Sequence, residues 1–170
     1  EDSCPHCGGK MVDIFVLDGR DERLKFLGID GILTATCCPN CVGFLDGPAY
    51  NRFTLDGGTE VFPSKLYDDE EEMECYMRPE DYKSMAENPF VLAKNSVPLF
   101  YGAFCEDVNT VGGFANWVQD WEYTTCPVCG KPMKYLAQIQ WDTIMEGTEG
   151  TLYIEVCSDC KVVSMQHQQT

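Results

Sequence analysis

Four Cys-x-x-Cys pairs carry the most definite chemistry in this 170-residue chain: Cys4–Cys7, Cys38–Cys41, Cys126–Cys129 and Cys157–Cys160. A Cys-x-x-Cys turn presents two thiolates on one side of a tight loop. Two such turns, brought together by a hairpin, complete a tetrahedron around Zn2+, an ion that imposes no geometry of its own. The interval from Cys4 to Cys38 nearly matches that from Cys126 to Cys157. The spacing therefore predicts two structural zinc ions, one held by Cys4, Cys7, Cys38 and Cys41, the other by Cys126, Cys129, Cys157 and Cys160. A four-cysteine site is closed and leaves no open position for a substrate.

The elements that must position these thiols are legible as a repeat. Cys4-Pro5-His6-Cys7-Gly8-Gly9-Lys10-Met11 aligns without gaps on Cys126-Pro127-Val128-Cys129-Gly130-Lys131-Pro132-Met133. Gly8 and Gly130 suit the positive φ that a backbone wrapped around sulfur demands. Each first knuckle runs into an apolar stretch, Val12–Leu17 and Tyr135–Ile139. A second stretch, Ile32–Thr36 and Leu152–Val156, returns to the second knuckle. Their β-branched content and short length predict strands. Disulfides are the competing use of the cysteines. Eleven is an odd number, the density is below that of small secreted scaffolds, and the pairs have knuckle spacing, which together favour metal in a reducing cytoplasm. No secretory signal is recognisable in the sequence as it stands, and Glu1 is not an initiator methionine, so what precedes it is left open. The remaining cysteines, Cys37, Cys75 and Cys105, are read as buried or incidental thiols.

The middle of the chain separates the two zinc halves. Residues 46–63 read as loop or hairpin, turning at Asp56-Gly57-Gly58. The block Asp68, Asp69, Glu70, Glu71 and Glu72 is either a solvated face or a mimic of an anionic ligand that would engage a partner. Pro79-Glu80-Asp81 opens a short helix over 79–87, with proline in the first position and acids in the first turn. Phe114, Trp117 and Trp121 fall at helical spacing, and the expectation is an aromatic stripe packed on the second zinc lobe; the alternative is an exposed hot spot for a partner. The fold class expected is α+β and β-rich: two related Cys4 zinc-ribbon lobes, 1–63 and 97–170, joined by an acidic, partly helical connector at 64–96, together forming one compact unit.

Charge limits the function classes. Asp and Glu total 28 against 12 Lys and Arg, a formal charge of −16. Each filled Cys4 centre, four thiolates around a divalent ion, adds roughly −2. Phosphate binding needs clustered cations, which this chain lacks, so nucleic acid is not the expected partner. An acidic surface favours a basic protein and speeds its capture. No stretch has the apolar length of a membrane span. An enzyme is not expected. The chain has only two histidines, His6 within a knuckle and His167 near what reads as a frayed C-terminus, and it has no nucleophile elbow, phosphate loop or dinucleotide fingerprint.

Val111-Gly112-Gly113, Trp117 and Gln119, then Cys126-Pro127-x-Cys129-Gly130, Met133, Leu136-Ala137-Gln138-Ile139, Tyr153, Cys157 and Cys160, resemble the YwqG-like family of bacterial proteins. More remotely, this stretch is similar to the C-terminal domain of programmed cell death protein 2. The resemblance covers Val111–Cys160 together with the repeat-related N-terminal knuckle. It implies a mixed, β-rich fold without established catalysis. Such bacterial proteins sit among immunity genes for polymorphic toxins, and the eukaryotic relative is linked to chaperoning a basic ribosomal protein. The expectation is an acidic, zinc-stabilised, cytoplasmic binding protein: an immunity protein that occludes a cognate toxin, or alternatively a chaperone or adaptor that shields a basic client.

Overall fold

The computed structural model describes residues 3–68, 73–87, 89–95 and 109–169. Among the described residues, eight strands form a two-stranded and a six-stranded sheet and there is one α-helix, so this part of the fold is β-rich. Strands β1 (Val12–Asp18) and β2 (Ile32–Cys37) form the antiparallel hairpin expected between the first two knuckles. Strands β6 (Lys134–Gln140) and β7 (Thr151–Cys157) form its counterpart between the last two. The counterparts share their register. Val12 faces Cys37 as Lys134 faces Val156, and each hairpin bulges after its second pair, at Ile14 in one and Leu136 in the other. A bulge re-aims the strand without ending it.

Four strands extend the second hairpin into the larger sheet. β3 (Ala49–Phe53) and β4 (Thr59–Val61) form the hairpin that Asp56-Gly57-Gly58 predicts, and β8 (Val162–Gln168) follows the last knuckle. With β5 (Thr110–Val111) the order is β4-β3-β8-β7-β6-β5. β3, from the N-terminal half, thus pairs antiparallel with β8, with Asn51 opposite Val163. The hairpin within 46–63, which falls in the expected N-terminal lobe 1–63, is thus part of the same sheet as the strands of the C-terminal half. β8 also corrects the expectation of a frayed C-terminus. His167 sits within it, 5.7 Å from the Trp141 ring, with Nε2 3.0 Å from the Glu149 carbonyl.

The six-stranded sheet has two unlike faces, because successive side chains of a strand point to opposite sides. On one, Leu152, Ile154 and Val156 of β7 and Val163 and Met165 of β8 join Leu17, Leu24, Leu27, Ile29, Leu33 and Ala35 in one apolar core. This core fastens the β1–β2 hairpin to the larger sheet. Asn51 reinforces the junction. Its buried amide accepts from Thr36 N (2.9 Å) and donates to Thr34 O (3.0 Å), continuing the β2 ladder with a side chain.

The opposite face is polar and buried. Tyr153 and Glu155 of β7, Gln138 of β6 and Ser164 and Gln168 of β8 are all shielded from solvent. They serve the backbone of residues 114–124, which cross this face without regular structure. Gln138 Oε1 accepts from Asn116 N (2.8 Å), and Tyr153 Oη accepts from Val118 N (2.9 Å) and donates to Asn116 O. Glu155 Oε2 accepts from Thr124 N (2.7 Å). The helical spacing of Phe114, Trp117 and Trp121 therefore does not make a helix. Gly112 and Gly113 precede the segment with φ of 75° and 82°, and cross-sheet hydrogen bonds then hold it. Trp117 alone of the three packs on the sheet, tilted over Tyr153 at 4.4 Å, while Phe114 and Trp121 are exposed.

Helix α1 (Pro79–Glu87) matches the predicted span. Asp81 Oδ2 accepts from Arg78 N at 2.7 Å, a reach-back from the third helical residue to the capping position.

Candidate metal centres

Each first knuckle is built by the same backbone bonds. Cys4 N donates to Gly9 O (2.7 Å) and Gly8 N to Cys4 O (2.9 Å); Cys126 N donates to Lys131 O (2.9 Å) and Gly130 N to Cys126 O (2.9 Å). Gly8 and Gly130 have φ of 71° and 70°, as the repeat predicts. The second knuckles diverge. Cys41 leads into a 3₁₀ turn at Val42–Phe44, whereas Lys161, with φ of 54°, turns the chain straight into β8.

The structure brings all eight predicted ligands together in the predicted sets. The four sulfurs within each set lie within 4.8 Å of one another. Cys4 Sγ and Cys41 Sγ are 3.8 Å apart, Cys7 and Cys38 3.6 Å, and Cys129 and Cys157 3.8 Å. A disulfide would need about 2.05 Å. A tetrahedron with metal–sulfur bonds near 2.3 Å has edges of about 3.8 Å. Ten cysteines are free thiols among the described residues. The two Cys4 groups therefore suit two metal ions, and an all-sulfur tetrahedron belongs to zinc or to iron.

Hydrogen bonds to sulfur and titration support the donor role. Gly9 N donates to Cys7 Sγ (3.4 Å) and Asn40 Nδ2 lies 3.8 Å from Cys41 Sγ. As a set of thiols, the first group concentrates negative charge on Cys38, whose pKa falls to about 5, chiefly through the Cys41 thiol beside it. Burial pushes Cys7 up to about 12. In the second group Cys129 falls to about 7, chiefly through the Lys131 backbone N–H. Cys38 and Cys129 are thus the readiest donors of their groups, and a metal ion would displace the remaining thiol protons.

The two centres differ in access. In the first, Cys4, Cys38 and Cys41 are buried and Met11 and Met73 pack against them. Asn40, between Cys38 and Cys41, binds a passing segment with both ends of its amide: Nδ2 donates to Glu74 O (3.0 Å), and Oδ1 accepts from Tyr76 N (2.9 Å). No local sequence pattern announces this contact. In the second, Cys126 and Cys157 are buried beside Met133, Tyr50 and Phe62, but Cys129 is exposed.

The chain is 27% identical over 176 aligned positions to "Uncharacterized protein YpfL" of Salmonella typhimurium. The match covers 99% of this chain and 39% of that protein, so the chain spans about two-fifths of the relative's length. No family model matches the chain. No solved structure matches it significantly.

The other predicted positions are placed as follows. Of the proposed partner-binding acids, Asp68 is described and exposed, while Asp69, Glu70, Glu71 and Glu72 lie outside the described residues. Cys37 is buried in β2, and burial pushes its thiol up. Cys75 is half-buried with Sγ 3.7 Å from Tyr82 Oη, and Cys105 lies outside the described residues. No described helix is long and apolar enough to cross a membrane.

Proposed function

We propose that this chain is an acidic protein-binding module whose two Cys4 centres hold structural zinc, and that it neutralises a cognate toxin by covering the toxin's cationic substrate cleft. The observation that carries this reading is the uncompensated charge of −16. All four arginines are already engaged by acids of the chain itself: Arg20 by Asp18, Arg23 by Asp21, Arg52 by Glu60 and Arg78 by Asp81. The acidic surplus is left for a partner, and such a surplus steers a basic protein into contact. The Cys4 centres support a binding role, because four thiolates fill the coordination sphere and leave the metal a structural task.

The test is co-expression with the product of the neighbouring gene. Rescue of growth together with a co-purified complex is the expected outcome. A stable complex with a basic ribosomal or nucleic-acid-binding protein, without any rescue, would replace the immunity role by that of a chaperone. No rescue and no complex would overturn the immunity role and leave the chaperone reading ahead.

A further inference from the structure

Resting on that reading of a basic partner, we infer that the segment around Trp121 is the docking site, and that it receives an arginine-bearing stretch of the partner protein. Trp121 is the most exposed tryptophan, with 83% of its surface open, and Tyr123 beside it is 51% exposed. Burying one such ring commonly supplies much of the binding free energy of an interface. An indole left in water has no structural use here, since the sheet is already covered by Trp117 over Tyr153.

The display is rigid although it contains no helix or strand. Gln168 Oε1 accepts from Gln119 N (3.2 Å) and Gln168 Nε2 donates to Asp120 O (3.1 Å), pinning the backbone on one side of Trp121. Thr124 N is held by Glu155 on the other side. Trp117 meets Tyr123 edge to face at 5.5 Å and fixes that ring. A partner would therefore meet a surface whose ordering cost has largely been met during folding.

Charge selects the occupant. Asp120 and Glu122 flank Trp121, both are exposed, and neither carboxylate makes an ion pair among the described residues. Lys94 and Lys131 bracket a stretch of sequence with no lysine or arginine at all. An indole between two unpaired carboxylates suits a guanidinium, which stacks flat on the ring while its N–H fork reaches a carboxylate. An ammonium matches the charge but lacks the planar fork. A phosphate-bearing ligand is repelled.

Oligoarginine and oligolysine peptides of equal length, titrated into the full chain by calorimetry, provide the test. Wild type should bind both with strong salt dependence and prefer oligoarginine by about tenfold. Trp121→Ala should abolish that preference while circular dichroism and metal content stay unchanged; Trp121→Tyr should retain most of it. Asp120→Asn with Glu122→Gln should weaken both peptides. If Trp121→Ala binds oligoarginine as wild type does, the docking site is elsewhere and the inference fails, while the basic-partner reading survives. If wild type binds neither peptide, the reading itself fails and the inference with it.

Discussion

Ile14 and Leu136 are the same position in two copies of one hairpin: each is the extra residue in a bulge between the strand that leaves a first knuckle and the strand that returns to a second. Matching bulges are stronger signs of common design than matching cysteines, since a bulge is not needed to bind metal. The copies bind their sulfur sets alike but are used differently. One hairpin stands alone, and the other is built into the six-stranded sheet.

Elemental analysis of protein purified under reducing conditions should find about two zinc ions per chain. Chelation should unfold at least one hairpin, since a structural site of this kind supplies roughly 10 kcal/mol or more of folding free energy. Cys126→Ser should damage folding far more than Cys75→Ser. Intact disulfides and no metal would contradict the assignment.

The second centre should release its metal first. Cys129 is exposed, whereas three ligands of the first centre are buried and Asn40 straps residues 74–76 across it. Alkylation in a competing chelator, followed by peptide mass mapping, should label Cys129 and Cys160 before Cys4 and Cys41. The reverse order would show that burial does not govern release.

Replacing Asn51 by Leu should destabilise the chain by about 1–3 kcal/mol for each backbone group left unpaired, because Thr36 N and Thr34 O lose their shared partner in a buried site. Urea unfolding should show the loss, with metal content unchanged. An unaltered midpoint would mean that β2 needs no link to β3.

Burial lowers the pKa of His167 below its ordinary value, and the Glu149 carbonyl only partly opposes this. The folded chain therefore prefers the neutral ring. Above the unfolded value of about 6.5 the preference costs nothing. As the pH falls below it, the unfolded state takes up the proton more readily, and stability is lost down through the lower folded value. Wild type should thus lose more stability than His167→Gln between pH 7.5 and 5.5. Comparing the two removes the contribution of the thiols, which are common to both. Parallel pH profiles would refute the claim.

Much of the site was readable because its signals are local. Knuckle spacing, the glycines after Cys7 and Cys129, the four hairpin strands and helix 79–87 depend on residues near one another in sequence. The misread segments depend on distant ones. Val162–Gln168 ends in a run of polar residues that suggests a loose tail. In the fold, Val163 and Met165 face the core while Ser164 and Gln168 serve the crossing segment. The alternation Val163-Ser164-Met165 was the available clue. The spacing of Phe114, Trp117 and Trp121 suggested a helix, but Tyr153, Glu155 and Gln168 compete for the backbone hydrogen bonds that a helix would use.

β3 and β8 are the strands that follow the second knuckle in each copy, and they lie side by side, antiparallel. The halves are not symmetric about this seam, since β8 also pairs with β7 of its own hairpin whereas β3 pairs with β4 and not with β2. A C-terminal half made alone would present β8 as a bare edge, with Val163 opposite nothing. Open edges recruit other strands. In the whole chain β3 fills that edge, and because it belongs to the same polypeptide the pairing does not depend on concentration.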